Sequence, residues 1–366
     1  MAYLYWTSEP KNTPIVLGAS LPLSGINKEL GAEVTIGANS WFNHINSMGG
    51  VKGRMINFIA YDDKYEPQNT THNLTRLLEQ DNVFALFGFV GTPTTKKIYP
   101  KVTSIKIPLV ASYTGAAFLR NPKEEYAVNF RTSYQNEIDT IVEHLHVNQG
   151  LTRFAIFYQN DVYGEEGYIA AVNALQNHNL ALLGEGTYKR NTLSIHHALH
   201  EIQSISPQAV IIVGAYKPSA LFIRQAKLQG LEDVVFCPIS FVNSDALVVE
   251  LNGKTKNILF SQTVPSYSPQ QSAVSEEYLR LLNRYSPNHA PSFASFETFL
   301  AAKAFTKALE KIQGRMTRSK LLDVLSSKES IDLGGVEISF NPTHMHSNAY
   351  LFIYDDGFHT IHQRSF

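Results

Sequence analysis

The chain has 366 residues, a formal net charge of −1 at pH 7 and a single cysteine. Because this length exceeds the size at which one hydrophobic core stops growing, we expect two lobes of ordinary domain size. The near-zero charge and the absence of basic runs argue against binding to nucleic acid or to anionic membranes, and a single cysteine excludes an internal disulfide.

Short β-rich runs alternate with amphipathic helical segments from Pro14 to about Gln262. This alternation is typical of parallel sheets covered by helices on both faces, so the predicted fold class is α/β, with doubly wound, Rossmann-like lobes. Cys237 lies in one of the apolar runs and is expected to be a buried thiol. We predict strands at residues 15–21, 55–61, 83–87, 108–111, 154–158, 182–187, 210–213, 235–236 and 258–261.

The pattern changes after Pro265, where the chain becomes strongly helical. Helices are predicted over 274–285 and 293–312, and a third is predicted to begin at Thr317, whose hydroxyl can accept from the N–H of Lys320. The remaining β-like runs are 336–340, 349–354 and, after an Asp-Asp-Gly turn, 358–361.

Two parts of the chain, 14–120 and 151–260, have the same β-α-β-α-β-α-β order. We therefore predict two similar lobes, joined by crossing strands around 129–131 and 262–264. Ligands of open α/β sheets bind beyond the carboxyl ends of the strands, so two such lobes facing each other form a cleft that closes on a ligand.

Segment 87–95, Phe-Gly-Phe-Val-Gly-Thr-Pro-Thr-Thr, is the most informative stretch. A strand that stops at glycines and continues into a helix that starts with threonines presents backbone N–H groups and hydroxyls, which suit a carboxylate. The same hydroxyls also suit simple helix capping. No acid, base or nucleophile stands nearby, so the segment indicates a binding protein and not an enzyme.

Five motifs follow one another in order and spacing: Leu-Pro-Leu-Ser-Gly at 21–25, Ile-Asn-Ser-Met-Gly-Gly-Val-Lys-Gly at 45–53, Tyr-Asp-Asp at 61–63, Asn-Asp-Val-Tyr-Gly at 160–164 and Gly-Ala-Tyr-Lys-Pro at 214–218. Together they resemble the type I periplasmic binding proteins of the branched-chain amino acid (leucine/isoleucine/valine) receptor family, over nearly the whole chain. The resemblance implies two α/β lobes joined by three crossover strands. The expected first lobe is 14–130 with 264–341, and the second is 131–263 with 342–366.

The resemblance also implies ligand contacts, which are carried over by position. The first lobe is expected to hold a ligand carboxylate with backbone N–H groups and hydroxyls, and the second to close phenol rings over the ligand. Ser24 either contacts the cleft or only forms a turn. The residues of the first lobe are Thr92, Ser112, Tyr113 and Thr114, and those of the second lobe are Tyr163 and Tyr216.

One position departs from the family pattern. Amino-acid-binding members pair the ligand's ammonium with an acidic residue where this chain has Ser240. A buried ammonium without a carboxylate partner is costly, so either the ligand lacks an amino group or Glu297 supplies the charge. The aromatic residues of the expected cleft, among them Phe241, leave room for an aromatic acid.

Histidine pairs raise the question of a metal, but the spacing indicates no third ligand for any of them. They are His344 with His346, His359 with His362, and the cluster of His196, His197 and His200, in which His196 and His200 share one face of a predicted helix. No phosphate loop or dinucleotide fingerprint is present, so no metal and no cofactor are expected. Ser112 lacks a nucleophile elbow, and an enzyme remains the weaker alternative, to be tested by replacing Ser112 or Glu297.

The predicted function is an extracytoplasmic solute-binding protein that captures a small carboxylate-bearing ligand, an amino acid or an aromatic organic acid, for the membrane subunits of an ABC importer. The alternatives are the ligand-sensing ectodomain of a membrane receptor, which would contact a signalling module, and a ligand-free interaction module. Residues 1–6 lack the charged leader and apolar core of a signal peptide. An extracytoplasmic location therefore requires a leader or anchor that is absent from this sequence.

Overall fold

The computed structural model describes residues 13–121, 123, 125–327, 329–339 and 348–361. The strands are β1 (Ile15–Leu21), β2 (Ile56–Asp62), β3 (Ala85–Phe87), β4 (Leu109–Val110), β5 (Ala127–Val128), β6 (Phe154–Gln159), β7 (Leu182–Tyr188), β8 (Ala209–Val213), β9 (Val235–Pro238), β10 (Phe260–Gln262), β11 (Ile331–Asp332), β12 (Glu337–Ile338), β13 (Tyr350–Tyr354) and β14 (Phe358–Thr360). The α-helices are α1 (Lys28–Ser47), α2 (Pro67–Glu79), α3 (Thr92–Ile105), α4 (Tyr134–Glu143), α5 (Val162–Gln176), α6 (His196–Ser204), α7 (Tyr216–Leu228), α8 (Ser244–Glu250), α9 (Ala273–Tyr285), α10 (Phe293–Lys311) and α11 (Arg318–Leu325).

Two parallel sheets organise the molecule. The first has the order β2-β1-β3-β4-β5 and the second has the order β7-β6-β8-β9. Each order reverses beside its first strand, between β1 and β3 and between β6 and β8, and such a switch point opens a crevice beyond the carboxyl ends of the strands. The α/β fold class that the sequence predicts is confirmed.

The chain passes repeatedly between these two layers. Helices α9 and α10 pack against α1 of the first layer, whereas α4 packs against α5 and β13 of the second. We call β1–β5 with α1–α3 and α9–α11 the first lobe, and β6–β10, β13 and β14 with α4–α8 the second lobe. The exact residues at which the sequence analysis divides the lobes stay a prediction.

Helix α10 is the central support of the first lobe, and close contacts with α1 bury most of its surface. The indole N–H of Trp41 donates to the hydroxyl of Thr306 at 2.8 Å, and its ring meets Phe299 edge-on, with 5.4 Å between the ring centroids. At Gly37 a Cβ would lie 2.1 Å from the carbonyl oxygen of Ser295. The two helices therefore approach as closely as backbone allows.

The predicted strands agree with the observed ones to within about two residues, and Thr317 caps α11 as predicted, accepting from the Lys320 N–H at 3.3 Å. Strands β5 and β11, of two residues each, are missing from the prediction. The predicted run 336–340 extends past the described residues, which here end at 339.

Two further findings concern single features. Cys237 is fully buried in β9, as expected, and burial raises the pKa of its thiol. Within the part of the chain that the structure describes, none of the helices combines the length and the apolarity needed to cross a bilayer.

Candidate ligand-binding site

Three hydroxyl groups meet where the strands of the first lobe end. Thr92 is the first residue of α3, after β3, and Thr114 follows β4. Their hydroxyls lie 2.7 Å apart, and each is 3.2 Å from the hydroxyl of Tyr134, the first residue of α4. All three side chains are buried. The carboxyl ends of β3 and β4 thus present a compact, water-excluded group of hydroxyls.

Other buried polar atoms that follow strand ends have no hydrogen-bond partner among the described residues. They include the hydroxyls of Ser112, after β4, and Tyr216, the first residue of α7. The Tyr216 hydroxyl lies near the backbone of Glu29 in α1, but without hydrogen-bond geometry. Leaving such a group unpaired costs about 1–3 kcal/mol, and buried polar groups are almost always paired. Orphaned donors at strand ends therefore indicate a place where a polar ligand binds.

Aromatic rings from both lobes form the opposite wall. Phe241 packs against Tyr163, with 4.5 Å between ring centroids, and lies 6.0 Å from Tyr113 and 6.1 Å from Tyr65. Tyr163 and Phe241 belong to the second lobe, whereas Tyr65 and Tyr113 follow strands of the first. Rings at these separations attract one another and offer an apolar surface with polar tips.

Arg131 lies in the crossing segment between β5 and α4 and is 2% exposed. Its Nε is 3.2 Å from Glu297 of α10, and its guanidinium stacks on the ring of Tyr113, with 3.9 Å from Cζ to the ring centroid. Burial alone lowers the pKa of Arg131, but Glu297 and, to a lesser extent, Tyr113, Glu137 and Tyr134 together outweigh it and hold that pKa above its usual value. Burial also raises the pKa of Glu297, against the opposing effect of Arg131. Thr263 donates to the same carboxylate at 2.8 Å.

Ser240 connects this ion pair to a second buried carboxylate. The Ser240 hydroxyl accepts from Nη2 of Arg131 at 2.5 Å and donates to Glu137 of α4 at 2.8 Å. Glu137 also accepts from the backbone N–H of Ser240 and from the hydroxyl of Ser261, each at 2.8 Å. Both acids of the crossing region, Glu137 and Glu297, thus already hold several donors.

The two lobes are closed on each other. Arg190, after β7, joins Glu66 of the first lobe to Asp161 of the second, with 2.9 Å for each contact. The side-chain amide of Asn191 donates to Glu66 at 2.7 Å, and Glu166 of α5 accepts from the backbone N–H of Ala117 at 2.9 Å.

A second set of contacts closes the other side of the cleft. Asp245 of α8 accepts from the backbone N–H of Phe293, at the start of α10, and from the hydroxyl of Tyr267, at 2.9 and 2.7 Å. Glu33 of α1 accepts from the amide of Asn243 at 3.0 Å. Burial raises the pKa of Asp245 to about 6 and raises the pKa of Glu33, which the charge of Asp245 raises further.

The structure places the predicted site residues as follows. The buried cluster between the lobes contains most of them, and Tyr216 lies at the lobe boundary beside α1. Ser24 is only half-buried, and its hydroxyl donates to Asp62 at 2.5 Å. Glu297 reaches the cluster but pairs with Arg131. The clustered residues are Thr92, Ser112, Tyr113, Thr114, Tyr163 and Ser240.

Sequence analysis missed Arg131, Tyr134, Glu137 and Tyr65. Arg131 carried a usable signal, because a charged residue in a crossing segment that follows apolar β5 must find a buried partner. Tyr134 and Glu137 occupy the first turn of α4 after the capping Ser133. Their positions become informative only once the fold brings α4 against the strand ends of the first lobe.

The histidines were predicted to hold no metal. In the described residues, no group of three or more His, Cys, Asp or Glu side chains could bind a metal ion. His196 and His200 lie on α6. His344, His346 and His362 lie outside the described residues.

Comparisons with known proteins all match binding proteins. Residues 14–357 match the family model described as periplasmic binding protein. A possible leucine/isoleucine/valine-binding protein from Rhodopirellula baltica is 30% identical, with a TM-score of 0.91 and coverage of 97% of this chain and 98% of that chain. A substrate-binding periplasmic protein from Ralstonia solanacearum is 26% identical, with a TM-score of 0.86 and coverage of 93% and 97%.

A curated relative gives a partial match. An amino acid binding protein of Pseudomonas aeruginosa is 23% identical over 64% of this chain. The match spans 62% of the length of that relative.

Proposed function

The chain belongs to the periplasmic binding proteins, as a type I member of the leucine/isoleucine/valine family, and from this premise we propose that it captures a small carboxylate-bearing solute between its lobes. The captured solute is then delivered to the membrane subunits of an ABC importer. The protein acts outside the cytoplasm and binds its ligand without turning it over.

One observation carries this proposal: the buried hydroxyls at the ends of β3 and β4 include a donor, that of Ser112, without a partner among the described residues. A carboxylate has two oxygens and about four acceptor sites, so it can take several such donors at once. The N-terminus of α3 stands at the same place and favours negative charge.

The closed lobes support a capture mechanism. Contacts such as those between Arg190 and Glu66 form only when the lobes meet. A ligand that touches both walls binds the closed form more tightly than the open one, and by that difference it shifts the population toward closure. The closed form is then the ligand-bound form, and an importer recognises this form by the lobe surfaces that closure brings together.

A thermal-shift screen against aliphatic and aromatic carboxylates, their amino derivatives and short amides tests the proposal. A ligand at 100 times its Kd stabilises the protein by about 2.7 kcal/mol, which raises the melting temperature measurably. We expect carboxylates to give shifts and the matching amides to give none. If no carboxylate raises the melting temperature, the proposal is wrong.

A pair of threonine variants locates the site. Thr114→Val removes one hydroxyl of the buried group with little change of shape, and we expect it to melt cooperatively but to lose most of the ligand-induced shift. Thr71→Val alters an exposed threonine of α2 and should keep the full shift. Equal shifts in the two variants would place the carboxylate elsewhere.

A further inference from the structure

One edge of the Arg131 guanidinium faces the carboxylate of Glu297, where Nη2 donates a hydrogen bond and Nε forms an ion pair without hydrogen-bond geometry. Nε and Nη2 both face the carboxylate of Glu297, at 3.2 and 3.4 Å, and Nη2 also donates to the hydroxyl of Ser240 at 2.5 Å. The flat face of the group rests on Tyr113. These contacts fix the orientation of a planar group that has no freedom to turn.

The other edge presents a donor that is not engaged. Nη1 of Arg131 has no hydrogen-bond partner among the described residues, although the side chain is 2% exposed. In a guanidinium, Nη1 lies on the side opposite to the Nε and Nη2 edge, so it points away from Glu297. A buried cationic donor needs an acceptor, and a second guanidinium edge suits an oxygen atom of a carboxylate or a carbonyl.

The position of this donor matters for specificity. Ser240 stands where the family resemblance places the acid that pairs with a ligand ammonium, and here Ser240 is bonded to Arg131 and Glu137. In this part of the candidate site the ligand therefore meets the guanidinium of Arg131, which can donate hydrogen bonds but cannot accept them. An ammonium has no lone pair to accept a hydrogen bond, and it meets a like charge.

The nearby acids are not free to compensate. Glu297 holds Arg131 and the hydroxyl of Thr263, and Glu137 holds Ser240 and Ser261. An ammonium that recruited either carboxylate would have to share it with three contacts that are already in place. The alternative from the sequence analysis, in which Glu297 pairs with a ligand ammonium, is therefore disfavoured.

Resting on the function proposed above, we propose that Arg131 determines ligand specificity, and that the ligand carries an acceptor oxygen where an amino acid carries its ammonium. The chemical class is a carboxylic acid with a keto or second carboxylate group on the carbon next to the first carboxylate. Its first carboxylate binds the hydroxyls of Thr92, Ser112 and Thr114. Its acceptor oxygen receives Nη1 of Arg131, and its apolar body packs on the rings around Phe241.

Isothermal titration of the unaltered protein tests this with two matched series. The first is leucine, 4-methyl-2-oxopentanoate and 4-methylpentanoate, and the second is phenylalanine, phenylpyruvate and 3-phenylpropanoate. In at least one series we expect the oxo acid to bind at least tenfold more tightly than both the amino acid and the unsubstituted acid. If an amino acid binds as tightly as its oxo acid, the inference is overturned while the proposed function stands. If none of the six binds, the inference is overturned, while the proposed function is decided by the wider thermal-shift screen.

A double variant separates specificity from support of the fold. Arg131→Gln with Glu297→Gln replaces the buried ion pair by two neutral amides, so neither charge is left unpaired. We expect the preference for the oxo acid over the unsubstituted acid to fall at least tenfold. If Arg131 only supports the fold, the double variant should change the affinities for the oxo acid and the unsubstituted acid by the same factor. An unchanged ratio of these two affinities would therefore overturn the inference.

A control and a fallback complete the experiment. Arg153→Gln alters an exposed arginine before β6, at the sheet edge opposite to the cleft, and should keep the ratio. If the double variant fails to fold, Arg131→Lys keeps the charge but cannot serve Glu297 and the ligand together. It should also lose the preference, and a preserved ratio in Arg131→Lys would count against the inference.

Discussion

Arg190 and Glu66 form an ion pair across the boundary between the lobes, with 2.9 Å between Nη2 and Oε2. The other terminal nitrogen of Arg190 binds Asp161 of the second lobe at the same distance. Asp161 therefore holds the guanidinium in the second lobe, and Glu66 reaches it only when the lobes are closed. The pair stabilises the closed form without taking part in the buried ligand site.

We predict that Arg190→Gln weakens the binding of the strongest carboxylate from the thermal screen by up to about fivefold, because a partly exposed pair contributes about 0.2–1 kcal/mol. Titration calorimetry at low and high ionic strength measures the loss, which should shrink as salt screens the pair. Lys311→Gln breaks an exposed pair with Glu329 within the first lobe and should have no effect. A salt-independent loss would mean that Arg190 acts in another way.

The contact between Asp245 and the start of α10 should make stability depend on pH. The pKa of Asp245 rises from its ordinary 3.8 to about 6 in the folded protein because of burial. Between these values the folded state binds more protons than the unfolded state, so the contribution of Asp245 to the free energy of unfolding falls as pH rises from about 4 to about 6. The groups facing it are Glu33, Tyr267 and the N–H of Phe293.

We therefore predict that Asp245→Asn gains stability relative to the unaltered protein as pH rises from 4 to 7. Thermal melts of both proteins across this range measure the difference between their stabilities. The contributions of the other titrating groups largely cancel in this difference. Asp323→Asn alters an exposed residue of α11 and should show a flat difference. A flat difference for Asp245→Asn as well would mean that its carboxylate is solvated in the folded protein.

Tyr216 offers a test that separates the ligand from the fold. Its ring is 2% exposed and its hydroxyl lacks a partner among the described residues. Tyr216→Phe should therefore leave the stability of the ligand-free protein unchanged or raise it, since it removes an unpaired polar atom. Tyr216→Ala should weaken ligand binding at least tenfold, or about 1.4 kcal/mol, without unfolding the protein.

Thermal melts without ligand and titrations with the strongest carboxylate check both variants. Tyr158→Phe, in the second lobe, serves as the matched control. Its hydroxyl donates to Glu185 of β7 at 3.0 Å, and its removal should leave ligand affinity unchanged. If Tyr216→Ala binds as the unaltered protein does, Tyr216 does not line the ligand site.

Local patterns were enough to predict most of the fold, whereas the candidate site residues came mainly from the family resemblance. Thr92 was indicated by its own sequence, because a hydroxyl residue that starts a helix after a glycine-ended strand suits an anion. Ser112 and Thr114 were carried over by position from the family resemblance. Parallel strands end at one edge of their sheet, so the loops after β3 and β4 are neighbours, which agrees with that assignment.

The remaining residues belong to contacts between parts distant in sequence. Arg131 and Glu297 are 166 positions apart, and nothing in either local sequence indicates the other. Ser240 was recognised as unusual, but its meaning depends on the neighbours that folding brings to it, Arg131 and Glu137. The specificity proposed above rests on a buried network, and such networks are visible only in three dimensions.

Two features require glycine at position 91, the residue before α3: its backbone angle φ and a ring that lies close to it. Its φ is +102°, and a Cβ there would lie 2.3 Å from Cε2 of Tyr65. Gly91→Ala should therefore combine backbone strain with a clash and lower the free energy of unfolding by at least ~2 kcal/mol.

Denaturant melts compare Gly91→Ala with Gly150→Ala, where φ is +71° and nothing lies within 4 Å of the added atom. That control carries strain alone, so it should lose only ~1 kcal/mol. Equal losses would show that Tyr65 moves aside freely and does not form a fixed wall of the cleft.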